Sequence, residues 1–347
     1  MKQFRLNYLL FTLAFAVLLA SCKKNDPVFT LPTQGLYVLN QGNVTNTNST
    51  LTYYDYLNKT TAPDIYQSAN GKKIGDTGND IGIYGSKMYL VVNGSNVVTV
   101  ANAKTAVLTK QITLASPRFV VFYDKSAFVT SYNGTVSVID TASLAITKTI
   151  TVGRAPEQMA ISNGKLYVAN SGGLDYPNFD KTVSVIDLTT LAETKKITVT
   201  DNPISLAADA YNNVYVLSLG NYGAVAPGLT VINTSNDVVR SKPAVSLGYN
   251  IPMIAQGDYV YFPTADNKIT MFNAKTQAFE KANFITDGTL ITNPFAIGFD
   301  NLTKHIFVAD AKDYNSNGTI TAFDASGKKV YTVNTGINPG KIAFINK

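Results

Sequence analysis

Arg118 and Glu157 each follow a proline that opens a similar stretch of sequence, Ser116-Pro117-Arg118 and Ala155-Pro156-Glu157. After the other prolines of this kind stand Ile204, Met253, Phe295 and Gly340. Two opposite charges at matching positions allow two kinds of chemistry. They can pair with each other, which near a surface contributes about 0–1 kcal/mol. They can also point into a shared opening and orient a polar ligand. The other candidate groups bind rather than react. Hydrogen-bonding side chains come from Asn40, Gln41, Asn43, Asn93, Asn170 and Asp310, and aromatic ones from Tyr132, Tyr176, Phe179, Tyr222, Tyr249 and Tyr314.

The elements that position these residues repeat along the chain. Lys-Leu-Tyr-Val-Ala-Asn at 165–170 matches 87–93, 213–217, 259–262 and 305–310, and Thr-Val-Ser-Val-Ile-Asp at 182–187 matches 135–140. Looser copies of the second motif occur at 229–233, 269–273 and 320–324. Pro117, Pro156, Pro203, Pro252, Pro294 and Pro339 precede successive units and lie 39 to 49 residues apart. Repeats of this length, built from short strands with period-two alternation, predict the four-stranded blades of a β-propeller. The expected fold is all-β, with blades at 79–114, 116–153, 155–200, 202–248, 249–288 and 293–336.

A further blade is split between the chain ends. Residues 35–40, 51–55 and 65–70 read as its second, third and fourth strands. Residues 338–345 repeat the Pro-x-x-Ile/Met-Ala pattern of 156–161 and supply the first. Donating the last strand to the first blade closes a seven-bladed ring and removes exposed edges. The divergent N-terminal unit decides between this count and six or eight.

In this topology the loops between second and third strands share a face with the blade-to-blade connections. On that face two blades use only Ser131 to Gly134 and Ala265 to Asn267, whereas others use Gln41–Ser49, Ser171–Lys181, Leu219–Gly228 and Ala311–Gly318. Long loops with aromatic residues on a rigid scaffold are where binding concentrates.

Catalytic constellations are scarce. His305 is the only histidine and opens a strand after a turn-like Asn-Leu-Thr-Lys. That excludes multi-histidine copper or haem centres, and Ser–His–Asp or Cys–His chemistry unless His305 serves. With no tryptophan the chain lacks the motifs that stack the cofactor in quinoprotein dehydrogenase propellers. Gly71 to Gly85 lacks the helix a phosphate loop must open. A Ca²⁺-dependent hydrolase or lactonase built on Glu157, Asn202 and Asn293 stays open as a third reading. The 29 Lys and Arg against 23 Asp and Glu give +6, with no basic run longer than Lys-Lys, too dilute for a nucleic-acid footprint. The chain is therefore expected to be a binding module, with no cofactor, no metal and no enzyme activity.

At the N-terminus, Lys2 and Arg5 precede an apolar run, Leu9 to Ala20, too short for a typical spanning helix. It ends Leu19-Ala20-Ser21-Cys22, which resembles the lipobox of bacterial lipoproteins. The resemblance implies a leader over 1–21, lipidation of Cys22, a tether over 22–33 and a propeller over 34–347. The chain would then be anchored to the outer membrane by lipid alone. Lys23-Lys24-Asn25 after the cysteine leaves surface and periplasmic display both open.

The pairing of Leu-Tyr-Val-Ala-Asn with Thr-Val-Ser-Val-Ile-Asp resembles the YVTN/YncE-like propeller repeat. A closer resemblance rests on Asn40-Gln41-Gly42-Asn43, residues 50–55, Gly75-Asp76, residues 91–93, Ser116-Pro117-Arg118 and residues 153–157. Together these are similar to the BtuG-type cobalamin-binding lipoproteins of Bacteroidota. That resemblance implies capture of a corrinoid (vitamin B12) on one face of a seven-bladed ring, for delivery to a TonB-dependent outer-membrane transporter. An adhesin or scaffold binding a protein or glycan is the alternative.

Overall fold

In the computed structural model residues 34–346 are described, and they form seven four-stranded antiparallel sheets. The expected leader, Cys22 and the whole tether lie outside the described residues. Each blade runs A to D from the axis outwards. The A strands of blades 2 to 7 are Gly78–Tyr84, Pro117–Tyr123, Pro156–Ser162, Pro203–Ala208, Ile254–Gln256 and Pro294–Phe299. Blade 1 takes its A strand, Pro339–Asn346, from the other end of the chain. It pairs with Gln34–Asn40 in a register running from Gln34↔Asn346 through Val38↔Ile342 to Asn40↔Pro339. The ring thus closes within the described residues, as the split repeat predicts.

One motif explains why Asn and Asp alternate in the repeat Val-Ile-Asp/Asn. The last residue of strand C turns its side-chain oxygen onto backbone N–H groups two and three residues on. Asp140 accepts from Ala142 and Ser143, Asp187 from Thr189 and Thr190, Asn102 from Lys104 and Thr105, and Asn273 from Lys275 and Thr276. Either side chain makes this turn, so either residue serves.

Two expectations need correction. Residues 65–70 are not the outer strand of blade 1; that strand is Thr60–Ala62, and Ile65–Asn70 is a helix, α1. Asp64 caps α1 by accepting from Gln67 N, and Gly71 ends it in the left-handed conformation. Ile65 and Tyr66 fall on its buried side. The Asn70 amide donates to Ala106 O at 2.9 Å and accepts from Leu108 N at 2.7 Å, which ties α1 to blade 2.

Strict alternation also fails in strands B and C. Lys87–Val92, Ser126–Ser131 and Lys165–Asn170 are buried at every position after the first. A blade is covered on both faces by its neighbours, so its middle strands have no solvent face. The outer strands Leu108–Thr113 and Ile146–Thr151 have only Ile112 and Ile150 buried, with lysine and threonine facing water, which discourages edge pairing.

Candidate functional site

The side chains that follow the repeat prolines surround the axis at one end of the ring. Two local features aim them there. Residues just before the A strands take left-handed backbone conformations, with φ of 58° at Thr77, 43° at Ser116, 42° at Ala155, 58° at Asn202 and 55° at Asn338. Each of five A strands then has a register irregularity in its first residues, between Gly78/Asp80, Pro117/Val120, Pro156/Met159, Pro203/Ser205 and Pro294/Ala296. Bulges of this kind re-aim side chains. The result is a cavity of about 200 Å³ at the channel mouth.

The cavity is divided by blade. Asn79, Arg118, Glu157 and Gln158 from blades 2 to 4 form a polar half, extended by Gln41 and Lys341 of blade 1. Ile204, Ile251, Met253, Phe295 and Ile297 from blades 5 to 7 form an apolar half, with Tyr249 at the rim.

The polar half is a tightly bonded network. Arg118 donates from Nε and a terminal nitrogen to Glu157 Oε2 at 3.0 and 2.9 Å. The other terminal nitrogen donates to Asn79 Oδ1, and Asn79 Nδ2 donates back to Arg118 O. Tyr132 OH donates to Glu157 Oε1 at 2.6 Å, and its ring lies 4.5 Å from the guanidinium carbon. Phe119 stands 5.4 Å away beside it. Burial, the largest single influence, would lower the Arg118 pKa, but Glu157, Tyr132 and Asp80 together outweigh it and hold it above the usual value. Burial and then the Glu157 carboxylate push the Tyr132 phenol up, so it stays a donor. One strand position deeper, Asp80 Oδ2 accepts from Val120 N at 2.9 Å, and Lys341 Nζ stands 3.5 Å from Oδ1.

Beside the apolar half, the long loops carry a connected row of rings. Tyr176 meets Phe179 edge-on at 5.9 Å, Phe179 meets Tyr222 edge-on at 5.4 Å, and Tyr222 stacks on Tyr249 at 5.6 Å. Asn250 Nδ2 donates to Tyr314 OH at 2.7 Å, and Tyr314 reaches Phe295 at 6.2 Å. Tyr176 is 69% exposed, Tyr249 75% and Tyr222 47%, so the row faces solvent. Glycine is required where two of these loops begin. Gly172 and Gly220 have φ of 59° and 69°, and a Cβ would come within 2.3 Å of Asp180 N or 2.1 Å of Val225 O. Arg154 fixes the first loop by pairing with Asp175 and donating to Asn178 O at 2.7 Å.

A family model described as a domain of unknown function, DUF5074, matches residues 34–338. The chain belongs to that family. No curated protein sequence matches it. Among solved structures it is similar to a quinoprotein alcohol dehydrogenase-like protein from Bacteroides thetaiotaomicron, with 21% identity and a TM-score of 0.67. That match covers 90% of this chain and 79% of the other. It is also similar to Kuenenia stuttgartiensis hydrazine synthase, with 17% identity and a TM-score of 0.65, over 76% of this chain and 88% of the other. At these identities the likeness shows the propeller fold alone.

In this DUF5074 chain the predicted site residues divide into two groups. Gln41, Arg118, Tyr132, Glu157, Tyr249, Tyr222, Phe179, Tyr176 and Tyr314 gather around the mouth and its aromatic row. Asn43 stands nearby, donating to Tyr314 O at 2.9 Å.

The rest serve the frame. Asn40 and Asn170 are fully buried and occupy equivalent places, donating to Thr50 and Thr52 or to Thr182 and Ser184 on the next strand. Asn93 bridges to Pro117 O at 3.1 Å. Asp310 accepts from the backbone of Thr292, Asn293 and Lys312. Asn202 and Asn293 donate locally, to Tyr222 OH at 3.4 Å and to Lys312 O. Among the described residues no group of three or more His, Cys, Asp or Glu could hold a metal ion.

Sequence reasoning missed Asn79, Gln158, Asn250, Ile251, Ile297 and Lys341. The available signal was the position after the repeat proline, but blade 2 has Gly78 in place of that proline, which hid Asn79.

Proposed function

We propose that the ring is a non-enzymatic receptor that captures a small ligand on its loop face, with a corrinoid as the specific ligand. The observation that carries this reading is the exposed row Tyr176–Phe179–Tyr222–Tyr249 running to the edge of the mouth. Exposed rings in contact with one another bury apolar area only when something flat is laid on them, and their phenols offer hydrogen bonds at the rim. Cobalamin has a flat macrocycle rimmed with amides, which suits tyrosine faces beside the Gln41 and Asn250 amides. A pre-formed platform loses little conformational entropy on binding. Lipid anchoring through Cys22 next to a TonB-dependent transporter would raise the ligand concentration at the transporter.

The test uses residues 34–347, which contain every strand of the closed ring. Mixed with cyanocobalamin at micromolar concentration and passed over gel filtration, the protein is expected to carry the visible absorbance of the corrin. Free colour with an uncoloured protein peak overturns the corrinoid assignment.

One observation favours a second reading, docking of a protein or glycan partner. Among the described residues, four of the six most exposed large apolar side chains, Val44, Leu174, Tyr176 and Tyr249, lie on loops of this face. Retention of the ring on immobilised envelope glycan, with no corrinoid bound, would favour it.

A further inference from the structure

The charged groups at the mouth are already paired. Glu157 has both oxygens engaged, by Arg118 and by Tyr132. Arg118 lies between Glu157 and Asn79 with Tyr132 against its face. Lys341 stands over the buried Asp80 carboxylate. The groups at the mouth without a protein partner are uncharged. They are the Gln41 amide, Gln158 Nε2, whose Oε1 accepts from Leu206 N at 3.1 Å, and Asn250 Oδ1, whose Nδ2 donates to Tyr314. Ile204, Met253 and Phe295 line the apolar half, opposite the Gln41 and Gln158 amides.

We propose that the mouth selects a neutral, ring-bearing group that carries an amide, held with the amide toward blades 1 to 4 and the ring against Ile204, Met253 and Phe295. This deepens the reading of the loop face as a binding site and rests on it. An anion entering here must compete with Glu157 for Arg118 or lie beside the Glu157 carboxylate. A cation must lie beside Arg118 and Lys341. Either loses hydration without gaining a free opposite charge, and the neutral amides of a half-buried site do not return that loss. A primary amide both donates and accepts, and so meets the free amide of Gln41 and the free donor of Gln158. About 200 Å³ admits one substituted six-membered ring, not a macrocycle. A larger ligand would therefore insert one arm while its flat part lies on the tyrosine row.

Benzamide, benzoate and benzamidine share a shape and differ in charge, so they test the charge selection without any corrinoid. Each is titrated into the protein with labelled methionine methyls, following Met253. Benzamide is expected to shift the Met253 methyl, with both charged analogues binding about tenfold more weakly or worse. Equal or tighter binding of either charged analogue, or no Met253 shift with benzamide, overturns the proposal.

In E157Q the Arg118 charge is uncovered and the preference is expected to move to benzoate. A folded E157Q that still prefers benzamide contradicts it. Gln41→Met, at a side chain with no protein bond, is expected to weaken benzamide several-fold and leave the fold intact; unchanged benzamide binding there contradicts the assigned amide orientation. Benzamide selectivity without cyanocobalamin binding would sink only the corrinoid assignment. Cyanocobalamin binding with no response at Met253 would sink only this proposal.

Discussion

Blades 2 to 4 and blades 5 to 7 present the same strand position to the channel mouth, yet they build opposite surfaces. Asn79, Arg118 and Glu157 on one side are joined blade to blade by side-chain bonds, whereas Ile204, Met253 and Phe295 on the other meet the cavity without one. Much of the backbone is shared: a left-handed residue precedes the A strand in blades 2 to 5, and a register irregularity lies at its first residues in all of these blades except blade 6. At this position one side chain per blade sets the character of the surface. A repeat fold can thus keep its packing constant and write its chemistry in a single register, with the loops adding a second layer. Here the aromatic row sits beside the apolar half and the charged network lies opposite it.

The comparison breaks most visibly at the charged pair. Arg118 and Glu157 have side-chain exposures of 16% and 8%, so removing one partner leaves the other buried and uncompensated. Glu157→Leu is expected to cost about 3–5 kcal/mol in chemical denaturation. Replacing both, with Arg118→Met and Glu157→Leu together, is expected to recover most of that loss and make the mouth apolar all round. A double variant as unstable as the single one would show that the pair is not what the polar half depends on.

On the apolar side, Met253→Ala should cost less, about 2 kcal/mol at most, because the residue already borders a cavity. Its thermal midpoint compared with that of Glu157→Leu tests the asymmetry directly.

The tyrosine row should separate stability from binding. Tyr222→Ala and Tyr249→Ala remove exposed rings and should each change stability by no more than about 0.5 kcal/mol. Both should lower ligand affinity. Since the chain has no tryptophan, its tyrosine emission reports ligand contact.

The smallest effect is a pH dependence at the Tyr314 loop. The backbone N–H groups of Ser316 and Asn315 hold the Asp313 carboxyl down at about 2, against an ordinary 3.8. A depressed carboxyl stabilises the fold fully above its unfolded value, and that contribution disappears as pH falls through the folded one. The turn at 313–316 should therefore hold at pH 4 and loosen toward pH 2, which the Asp313 carboxyl and Asn315 amide signals would follow by NMR.

Much of the fold could be read from the sequence because the repeat carries its own physics. The Asx turn after strand C and the alternating apolar residues recur often enough to count blades, and the stray Pro339 segment marks the closing strand. The outer strand of blade 1 was misread because α1 is a local event: Asp64 and Gly71 cap one helical turn that no other blade contains.

The site was only half legible. Charge made Arg118 and Glu157 conspicuous, and loop length made the tyrosines so. Asn40 and Asn170 looked available at strand ends, but their amides turn onto Thr and Ser of strand C, a direction sequence spacing does not encode. Gln158 and Lys341 were invisible because the bulges that alter which side chains face the axis belong to strand pairing, not to composition.

Hydrogen–deuterium exchange with and without saturating cyanocobalamin tests the central claim most directly. Slowed exchange confined to the loops at 171–181, 219–228, 244–253 and 311–318 is the predicted result. No protection, or protection on the opposite face at the turns after strands A and C, would contradict it.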